Sequence, residues 1–386
     1  MIRDYLMIHR GAWEVLRQNG FEAYFVGGCV RDSLIDRDFN DVDIATNATP
    51  DEIKKIFKDT YDVGLKYNSI RVSHDGYFYD ITTYRKEDGY SDNRHPDKLE
   101  HAGSLEEDLE RRDFTVNAMA FSFDTGLVDL FNGADDLSKK VIRAVGKPNE
   151  RFEEDALRMM RAVRFACELG FEIEPKTRKA IMRTCENISM VSAERIYSEF
   201  SRMLKGRFPE KIIYLRDTNL GRSIHPDFRL LRYHGIPFQN DYLLRLCYFL
   251  VKQEYAGRIL KQLKADGKTV KSVNNILLKF YDGPYVTKYQ IRKLISQIGV
   301  ADTKRVLLLG KSDLTVYNMI IEAGDCTSLQ DLQIDGNDLI KAGISEEGRQ
   351  IRRILDELLE DVMKNPDHNF SNYLMEKAME ISPKYK

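Results

Sequence analysis

The chain has 386 residues, of which 42% are hydrophobic and 31% charged, and its formal net charge is −2. This composition argues against a disordered or collagen-like chain, and no run of about 18 uncharged apolar residues predicts a membrane span. The five cysteines form no CxxC pair, which argues against a disulfide framework or a zinc site. We therefore expect a cytoplasmic protein of two or more domains that does not bind membranes.

Charge is distributed unevenly along the chain. Residues 201–300 contain 19 Lys and Arg against 7 Asp and Glu, whereas the segments on either side are net acidic. A basic middle joined to a carboxylate-bearing N-terminal part favours a protein that holds a polyanion in one region and performs metal chemistry in another. The alternative is a solvated, lysine-rich helical surface.

A helix is predicted over residues 1–18, and a glycine turn follows it. Tyr24–Val26 predicts a short strand, Gly27-Gly28 breaks it, and Cys29–Ile35 has the apolar spacing of a helix. Such a turn lets backbone N–H groups approach a polyphosphate, and the guanidinium of Arg31 adds a charged fork.

Two aspartates follow this turn closely. Asp41 and Asp43 alternate with Val42 and Ile44, so an extended strand would point both carboxylates to one face. Carboxylates at this spacing can share divalent metal ions, as phosphoryl and nucleotidyl transfer require. An Asp-x-Asp pair alone is more often a solvated turn, but its closeness to the glycine turn favours the metal interpretation.

The next elements are predicted by their local signals. Thr49-Pro-Asp-Glu52 is a capping box that opens a helix. Residues 69–74 and 77–84 alternate around Asp75-Gly76, which predicts a hairpin, and Asp80 in its second strand is a possible third carboxylate. Residues 85–103 lack periodicity and are predicted to form a loop.

A charged string follows the second capping box, at Ser104–Glu107. Arg111-Arg112-Asp113 leads directly into an apolar strand predicted over 118–123. Neighbouring arginines are usually solvated, but this pair sits beside a carboxylate and at the start of a buried element.

A long helix is predicted over 151–169, ending at Gly170. Asp155, Arg158 and Arg161 step by three residues and would share one face, whereas Arg164 has turned half a turn away from Asp155. Ion pairs at this spacing usually mark a solvated face, but the same helix also carries many apolar residues.

These strings together resemble a known enzyme superfamily. These strings resemble the class II branch of the polymerase-beta-like nucleotidyltransferases; they are Phe25-Val-Gly-Gly-Cys-Val-Arg-Asp32, Asp41-Val-Asp43, Arg111-Arg-Asp113 and Glu154-Asp-Ala-Leu-Arg158, the last of which matches that family's Glu-Asp-x-x-Arg template. That branch comprises CCA-adding tRNA nucleotidyltransferases and bacterial poly(A) polymerases. The resemblance covers residues 22–204, about half of the chain.

The resemblance implies an α+β fold, with a small mixed β-sheet head followed by an all-helical neck, body and tail. We predict a nucleotidyltransferase head over 1–145, a base-recognising neck over 146–205, and a tRNA-binding body and tail over 206–310 and 311–386. It also implies that residues 88–96 form the flexible loop of CCA-adding enzymes, and that Ser192–Leu204 braces the neck.

The implied reaction adds C, C and A to the 3′ end of tRNA from CTP and ATP, with release of pyrophosphate. The resemblance assigns Mg²⁺ binding and catalysis to Asp41 and Asp43. It assigns nucleotide binding to seven residues, which are Gly28, Arg31, Arg112, Asp155, Arg158, Arg161 and Arg164.

The base-reading role has a chemical reason. Cytosine and adenine both present an amino donor beside a ring-nitrogen acceptor, which a carboxylate such as Asp155 and a guanidinium such as Arg158 can match. Uracil and guanine reverse that order, and each mismatched buried polar group costs about 1–3 kcal/mol.

Three alternatives stay open at this point. The chain could be a bacterial poly(A) polymerase, although it has no long basic C-terminal extension, or a partial enzyme that adds only CC or only A. It could also be a non-catalytic RNA-binding protein on the same fold. The sequence indicates no obligate protein partner and leaves the oligomeric state open.

Overall fold

The computed structural model describes residues 2–64, 68–88, 98–101, 103–237, 239–252 and 256–385. The chain divides into two compact units. The first comprises Met1–Asn240 with Gln262–Lys264, and the second comprises Asp241–Lys261 with Ala265–Lys386. Among the described residues, no helix is long and apolar enough to cross a bilayer.

The first unit is built on a mixed sheet of seven strands in the order β3-β4-β5-β2-β1-β8-β9. Strands β2 and β5 run parallel, and the other neighbours are antiparallel. The strands of this sheet are β1 (Tyr24–Val26), β2 (Val42–Thr46), β3 (Asp59–Gly64), β4 (Ser69–His74), β5 (Tyr77–Thr83), β8 (Met119–Ser122) and β9 (Gly126–Asp129).

Two smaller pairs lie outside that sheet. Strands β6 (Arg85–Asp88) and β7 (Lys98–His101) form an antiparallel ribbon. Strands β10 (Val141–Ile142) and β11 (Glu172–Ile173) pair in parallel.

Helices surround the sheet and then make up the rest of the first unit. They are α1 (Ile2–Met7), α2 (Arg10–Gln18), α3 (Gly28–Leu34), α4 (Pro50–Ile56), α5 (Leu105–Glu110), α6 (Gly133–Ser138), α7 (Pro148–Glu154), α8 (Leu157–Leu169), α9 (Pro175–Thr184), α10 (Ala193–Lys205), α11 (Tyr214–Asp217) and α12 (Leu220–Ile224). The described part of the chain thus has the predicted α+β fold, with the mixed sheet near its N-terminus.

Local sequence signals placed several elements correctly. Thr49 and Glu52 form the predicted capping box at the start of α4, with both reciprocal hydrogen bonds present. The hairpin turn at Asp75 and Gly76 has φ values of 50° and 80°, the left-handed region that an Asp-Gly hairpin turn needs. Each of these signals acts within a few residues, and long-range packing does not override it.

Three local predictions were wrong. The first helix is interrupted at Ile8-His9, so it forms α1 and α2. The loop expected over 85–103 contains paired strands at both ends, and residues 89–96 of the predicted flexible loop 88–96 lie outside the described residues. The helix expected over 151–169 breaks at Asp155, whose extended backbone (φ −139°, ψ 103°) separates α7 from α8.

The described residues of the second unit form helices joined by loops and contain no strand. Its helices are α13 (Tyr242–Leu250), α14 (Ala256–Gln262, which ends in the first unit), α15 (Gly267–Asp282), α16 (Lys288–Leu309), α17 (Thr315–Ala323), α18 (Gly336–Lys341), α19 (Gly348–Lys364) and α20 (Ser371–Ile381). Helix α16 is kinked at Gly299, where φ is 81° and ψ 165°. The predicted division into head, neck, body and tail stays a prediction.

Candidate active site

The candidate catalytic carboxylates lie on one face of the seven-stranded sheet. Asp43 on β2 is the register partner of Asp80 on the parallel strand β5, so both side chains point to the same face. Asp41 lies just before β2, two residues from Asp43, and is exposed. Asp80 accepts two hydrogen bonds from Arg71 on β4, both 2.8 Å long.

These carboxylates repel one another when all are charged. Burial raises the pKa of Asp43, Arg112 opposes that shift, and the charges of Asp80 and Asp41 raise the pKa further, to about 6. Such a concentration of negative charge favours binding of a cation. Among the described residues, no group of three or more His, Cys, Asp or Glu side chains could hold a metal by itself. Asp41 and Asp43 therefore fit an ion whose other ligands come from water and substrate phosphates, as is usual for Mg²⁺.

The glycine turn comes close to these carboxylates. Gly27 has φ 74° and ψ −128°, which favours glycine. A Cβ atom at this position would lie 3.1 Å from Nη1 of Arg112 and 3.7 Å from Oδ2 of Asp43. The backbone of the Gly27-Gly28 turn, which is predicted to bind phosphate, thus lies next to Arg112 and Asp43.

The guanidinium of Arg112 is paired with the buried carboxylate of Asp108. Its Nη2 lies 3.1 Å from Oδ2 of Asp108, which also pairs with Arg111 at 2.6 Å. Burial alone would raise the pKa of Asp108, but the two guanidiniums outweigh it and lower the pKa. Asp108 is therefore ionised at neutral pH and fixes Arg112 beside the turn.

The guanidinium of Arg31 is buried and already hydrogen-bonded to protein groups, whereas a phosphate ligand would be expected to face the site. Its side chain is buried, with Nε and Nη2 donating to Asp32 at 2.9 and 2.8 Å and Nη1 donating to Asn117 at 2.6 Å. A direct contact between Arg31 and a phosphate would require some of these bonds to break. In the geometry described, Arg31 ties the glycine-turn helix α3 to Asn117.

The same network continues to helix α8 through Asp113. Asn117 donates to Oδ1 of Asp113 at 3.1 Å, and Arg161 donates to Oδ2 at 2.7 Å. Burial would raise the pKa of Asp113, but Arg161 and Asn117 lower it to about 2. A continuous polar chain thus connects the glycine turn with the helix that carries the predicted base-reading residues.

The predicted base-reading residues are brought together despite the helix break. Oδ1 of Asp155 accepts from the backbone N–H of Leu157 at 3.0 Å, and Oδ2 lies 3.2 Å from Nη2 of Arg195 on α10. Arg158 is buried, pairs with Glu154 at 2.5 Å and donates to the carbonyl of Arg111 at 3.0 Å. Asp155 therefore projects from the break between α7 and α8, where its carboxylate is partly exposed.

Arg164 lies deepest among the candidate arginines. Only 2% of its side chain is exposed, and it pairs with Glu199 at 2.5 Å and Glu168 at 2.7 Å. Its guanidinium also stacks 3.9 Å from the centre of the Phe165 ring. These contacts join α8 to α10 and leave Arg164 no exposed surface for a ligand.

Several buried donors around these residues lack a partner within the described part of the chain. They are Nε of Arg112, Nε of Arg151 and Nη1 of Arg195. Buried polar atoms are normally hydrogen-bonded, so each of these donors needs an acceptor that the described protein atoms do not supply.

Sequence reasoning left three parts of this site unassigned. Arg71 and Asn117 were missed, and the side on which Asp80 points was left open. The alternation of Arg71 and Asp80 around the hairpin could have shown that they face the same way. Asn117 gave no signal, because its partners are 86 and 4 residues away in sequence and only folding brings all three together.

Comparison with known proteins identifies the family. Residues 23–143 match the model of the poly A polymerase head domain, and residues 170–231 match that of the probable RNA and SrmB-binding site of polymerase A. A CCA-adding enzyme from Bacillus velezensis is 36% identical over 377 residues, which cover 93% of this chain and 95% of that protein. The chain belongs to the CCA-adding enzyme family.

Other members of the CCA-adding enzyme family agree in length and fold. The Pediococcus pentosaceus enzyme is 37% identical over 92% of this chain and 94% of its own. The crystal structure of the Bacillus stearothermophilus CCA-adding enzyme in complex with CTP superposes with a TM-score of 0.80 and 31% identity, covering 98% of this chain and 99% of that one. The Thermotoga maritima CCA-adding enzyme complexed with tRNA shares the fold, with a TM-score of 0.68 and 21% identity over 97% and 95% of the two chains.

Proposed function

We propose that this chain adds C, C and A in turn to the 3′ end of tRNA, using CTP and ATP and releasing pyrophosphate. The observation that carries the proposal is the meeting of Asp41 and Asp43 with the Gly27-Gly28 turn and Arg112, in a chain that matches CCA-adding enzymes over nearly its full length. A cytoplasmic location is part of the proposal and rests on the sequence.

Asp41 and Asp43 are the proposed metal ligands and catalytic residues. Family members are nucleotidyltransferases, which use a divalent metal ion, and we propose Mg²⁺ here. When bound, Mg²⁺ lowers the pKa of the primer 3′-hydroxyl and neutralises charge on the triphosphate. The raised pKa of Asp43, about 6, means that part of the site is protonated in mild acid and that a cation would restore its charge.

The glycine turn and Arg112 are the proposed triphosphate and sugar contacts. Gly28 lies at the start of α3, and its missing side chain leaves the backbone accessible to a phosphate. Arg112 adds positive charge within reach of the turn and of Asp43. Arg31 supports this surface from beneath through Asp32 and Asn117.

Asp155, Arg158 and Arg161 are the proposed base-reading residues. Asp155 can accept from the exocyclic amine of cytosine or adenine, while a guanidinium donates to the ring nitrogen. Arg195 orients Asp155, and Asp113 holds Arg161. Arg164 supports them by fixing α8 against α10.

The basic segment 201–300 is the proposed tRNA-binding region, together with the tail. Lys and Arg side chains would hold tRNA through its phosphates, so shape rather than sequence would be recognised. The boundaries 1–145, 146–205, 206–310 and 311–386 for head, neck, body and tail belong to this proposal.

Nucleotide incorporation tests the proposal. Each labelled nucleoside triphosphate, and CTP with ATP together, is offered with tRNA lacking its CCA end and with an unrelated RNA. We expect three added nucleotides on tRNA only when both CTP and ATP are present. Long ATP-only tails would show a poly(A) polymerase, arrest after CC a partial enzyme, and salt-sensitive tRNA binding without incorporation a non-catalytic protein.

The metal assignment is tested by Asp41→Ala. This change should abolish transfer and leave tRNA binding nearly unchanged, because Asp41 is exposed and supports no other described contact. Asp51→Ala removes another exposed carboxylate, on α4, and serves as the matched control. Equal turnover in the two variants would contradict the metal assignment.

A further inference from the structure

Two aromatic side chains lie exposed on the sheet face that carries the carboxylates. Tyr61 on β3 and Phe78 on β5 are 50% and 58% exposed, and their ring centres lie 6.3 Å apart. We refer to these two residues as the edge pair. Large apolar groups on one solvent-facing surface indicate an interaction site more often than isolated ones do.

Strand register connects the edge pair to the catalytic carboxylates. Tyr61 pairs with Arg71, Arg71 with Asp80, and Asp80 with Asp43, so four adjacent strands carry one continuous row. Phe78 lies two residues before Asp80 on the same strand and therefore on the same face. The edge pair and the carboxylates share one surface.

The opposite face of these strands is already covered. Helix α4 packs there, with Lys54 paired to Asp62 and the ring of Phe57 against His74. The edge pair faces the other way; along the row, Tyr61 at the sheet edge is exposed, whereas Arg71, Asp80 and Asp43 are partly buried. This arrangement is a shallow surface that leads from solvent to the reaction centre.

We propose that the edge pair stacks against unpaired bases at the 3′ end of the RNA primer. The inference rests on the proposed function and adds a primer-binding subsite to it. Aromatic faces bind unpaired bases of any sequence, as an enzyme that accepts many tRNAs requires.

The distance along the row suits such a ligand. Three steps between neighbouring strands place the Cα atoms of Tyr61 and Asp43 about 14 Å apart. Stacked nucleotides rise about 3.4 Å each, so about four of them span that distance. A primer with several unpaired 3′ nucleotides, such as tRNA to which CC has been added, would therefore have an unpaired base beside the edge pair when its terminal hydroxyl reaches Asp43.

The charges nearby favour contact through bases rather than phosphates. Asp59 lies on the same face, as the register partner of Ser73, which in turn pairs with Phe78. The guanidinium of Arg71 is held by Asp80 in a two-fold hydrogen-bonded pair. Because these described charges are paired or negative, the edge pair offers stacking surface and little attraction for phosphate.

Steady-state kinetics test the subsite. Phe78→Ser and Tyr61→Ser should each raise KM for tRNA ending in CC by about 5- to 150-fold, the range for loss of one base-stacking contact. KM for ATP at saturating tRNA should stay unchanged. The ratio of variant to wild-type KM for tRNA should also be independent of salt, because stacking releases no counterions.

Leu127→Ser is the matched control. Leu127 is 38% exposed on the other edge strand, β9, and is the partner of Phe121. The Leu127→Ser change removes an exposed apolar side chain far from the row, so the KM of this variant for tRNA should equal that of the wild type. Edge-pair variants with the same KM as this control would overturn the inference.

Conservative changes separate stacking from general destabilisation. Phe78→Trp should retain low KM, whereas Phe78→Leu keeps apolar bulk without an aromatic face and should raise KM. A 2-aminopurine at the last unpaired position of the primer should be quenched by the wild type and less by Phe78→Leu. Equal quenching by the two proteins would refute stacking. Stacking would also be refuted if the wild type formed a dimer that Phe78→Leu dissociates while KM for tRNA stays unchanged, because the edge pair would then contact a second copy of the chain. If the wild type incorporates no nucleotide, the proposed function itself fails, whatever the variants do.

Discussion

The contact between buried Asp113 and partly exposed Arg161 makes a sharp prediction about stability. Asp113→Asn keeps the shape of the side chain but leaves Arg161 without the carboxylate that lies 2.6 Å from it. Because the Arg161 side chain is 34% exposed, water screens part of the loss, and we expect a cost of about 2–3 kcal/mol, below the value for a fully buried ion pair. For a unit of this size each kcal/mol lowers the melting temperature by about 2–4 °C, so we expect a decrease of about 4–12 °C.

The pH dependence of the same variant gives a second magnitude. The pKa of Asp113 is lowered from 3.8 to about 2, so its ionisation stabilises the folded state above pH 3.8 and this contribution is lost as pH falls through 2. That shift corresponds to about 2 kcal/mol. The value is smaller than the mutational cost because protonation keeps the hydrogen-bonding geometry that Asn only partly reproduces.

Denaturant unfolding between pH 3 and pH 6 measures both effects. The difference in unfolding free energy between wild type and Asp113→Asn should be largest above pH 5 and decrease toward pH 3. Asp135→Asn makes the same chemical change in an exposed pair with Lys139 and should cost less than about 1 kcal/mol. Equal destabilisation by the two variants, or a difference that does not vary with pH, would refute the reasoning.

Three further predictions concern the site. Gly27→Ala should lower the single-turnover rate constant for transfer by at least tenfold with little effect on fold, because the positive φ and the nearby Arg112 both disfavour a Cβ, at a cost of about 1–3 kcal/mol. Arg31→Lys should lower the melting temperature without a selective rise in KM for CTP, since the Lys ammonium cannot reproduce the guanidinium hydrogen bonds to Asp32 and Asn117. A rise in KM for CTP without a loss of stability would instead support a direct contact between Arg31 and phosphate. Affinity for tRNA, measured by filter binding from 50 to 200 mM salt, should fall by tenfold or more, and a flat response would exclude phosphate contacts by residues 201–300.

Sequence by itself determined the elements whose causes are local. The Asp75-Gly76 turn, the capping box at Thr49 and the Gly27-Gly28 break depend on backbone conformations and caps set within a few residues. The order of the glycine turn, Asp41 and Asp43, and the later arginine strings also sufficed to predict the family.

Only the tertiary structure shows which of these elements pair and which of their side chains come into contact. Asp80 joins Asp43 because β5 pairs in parallel with β2, and no local pattern specifies that neighbour. The helix break at Asp155 is stabilised by Arg195, which lies 40 residues later. Buried Arg31 is paired with its neighbour Asp32, but its remaining hydrogen bond goes to Asn117, and buried Arg164 pairs with Glu199 as well as with nearby Glu168. Burial of a charged side chain depends on such partners, and only the folded chain supplies them.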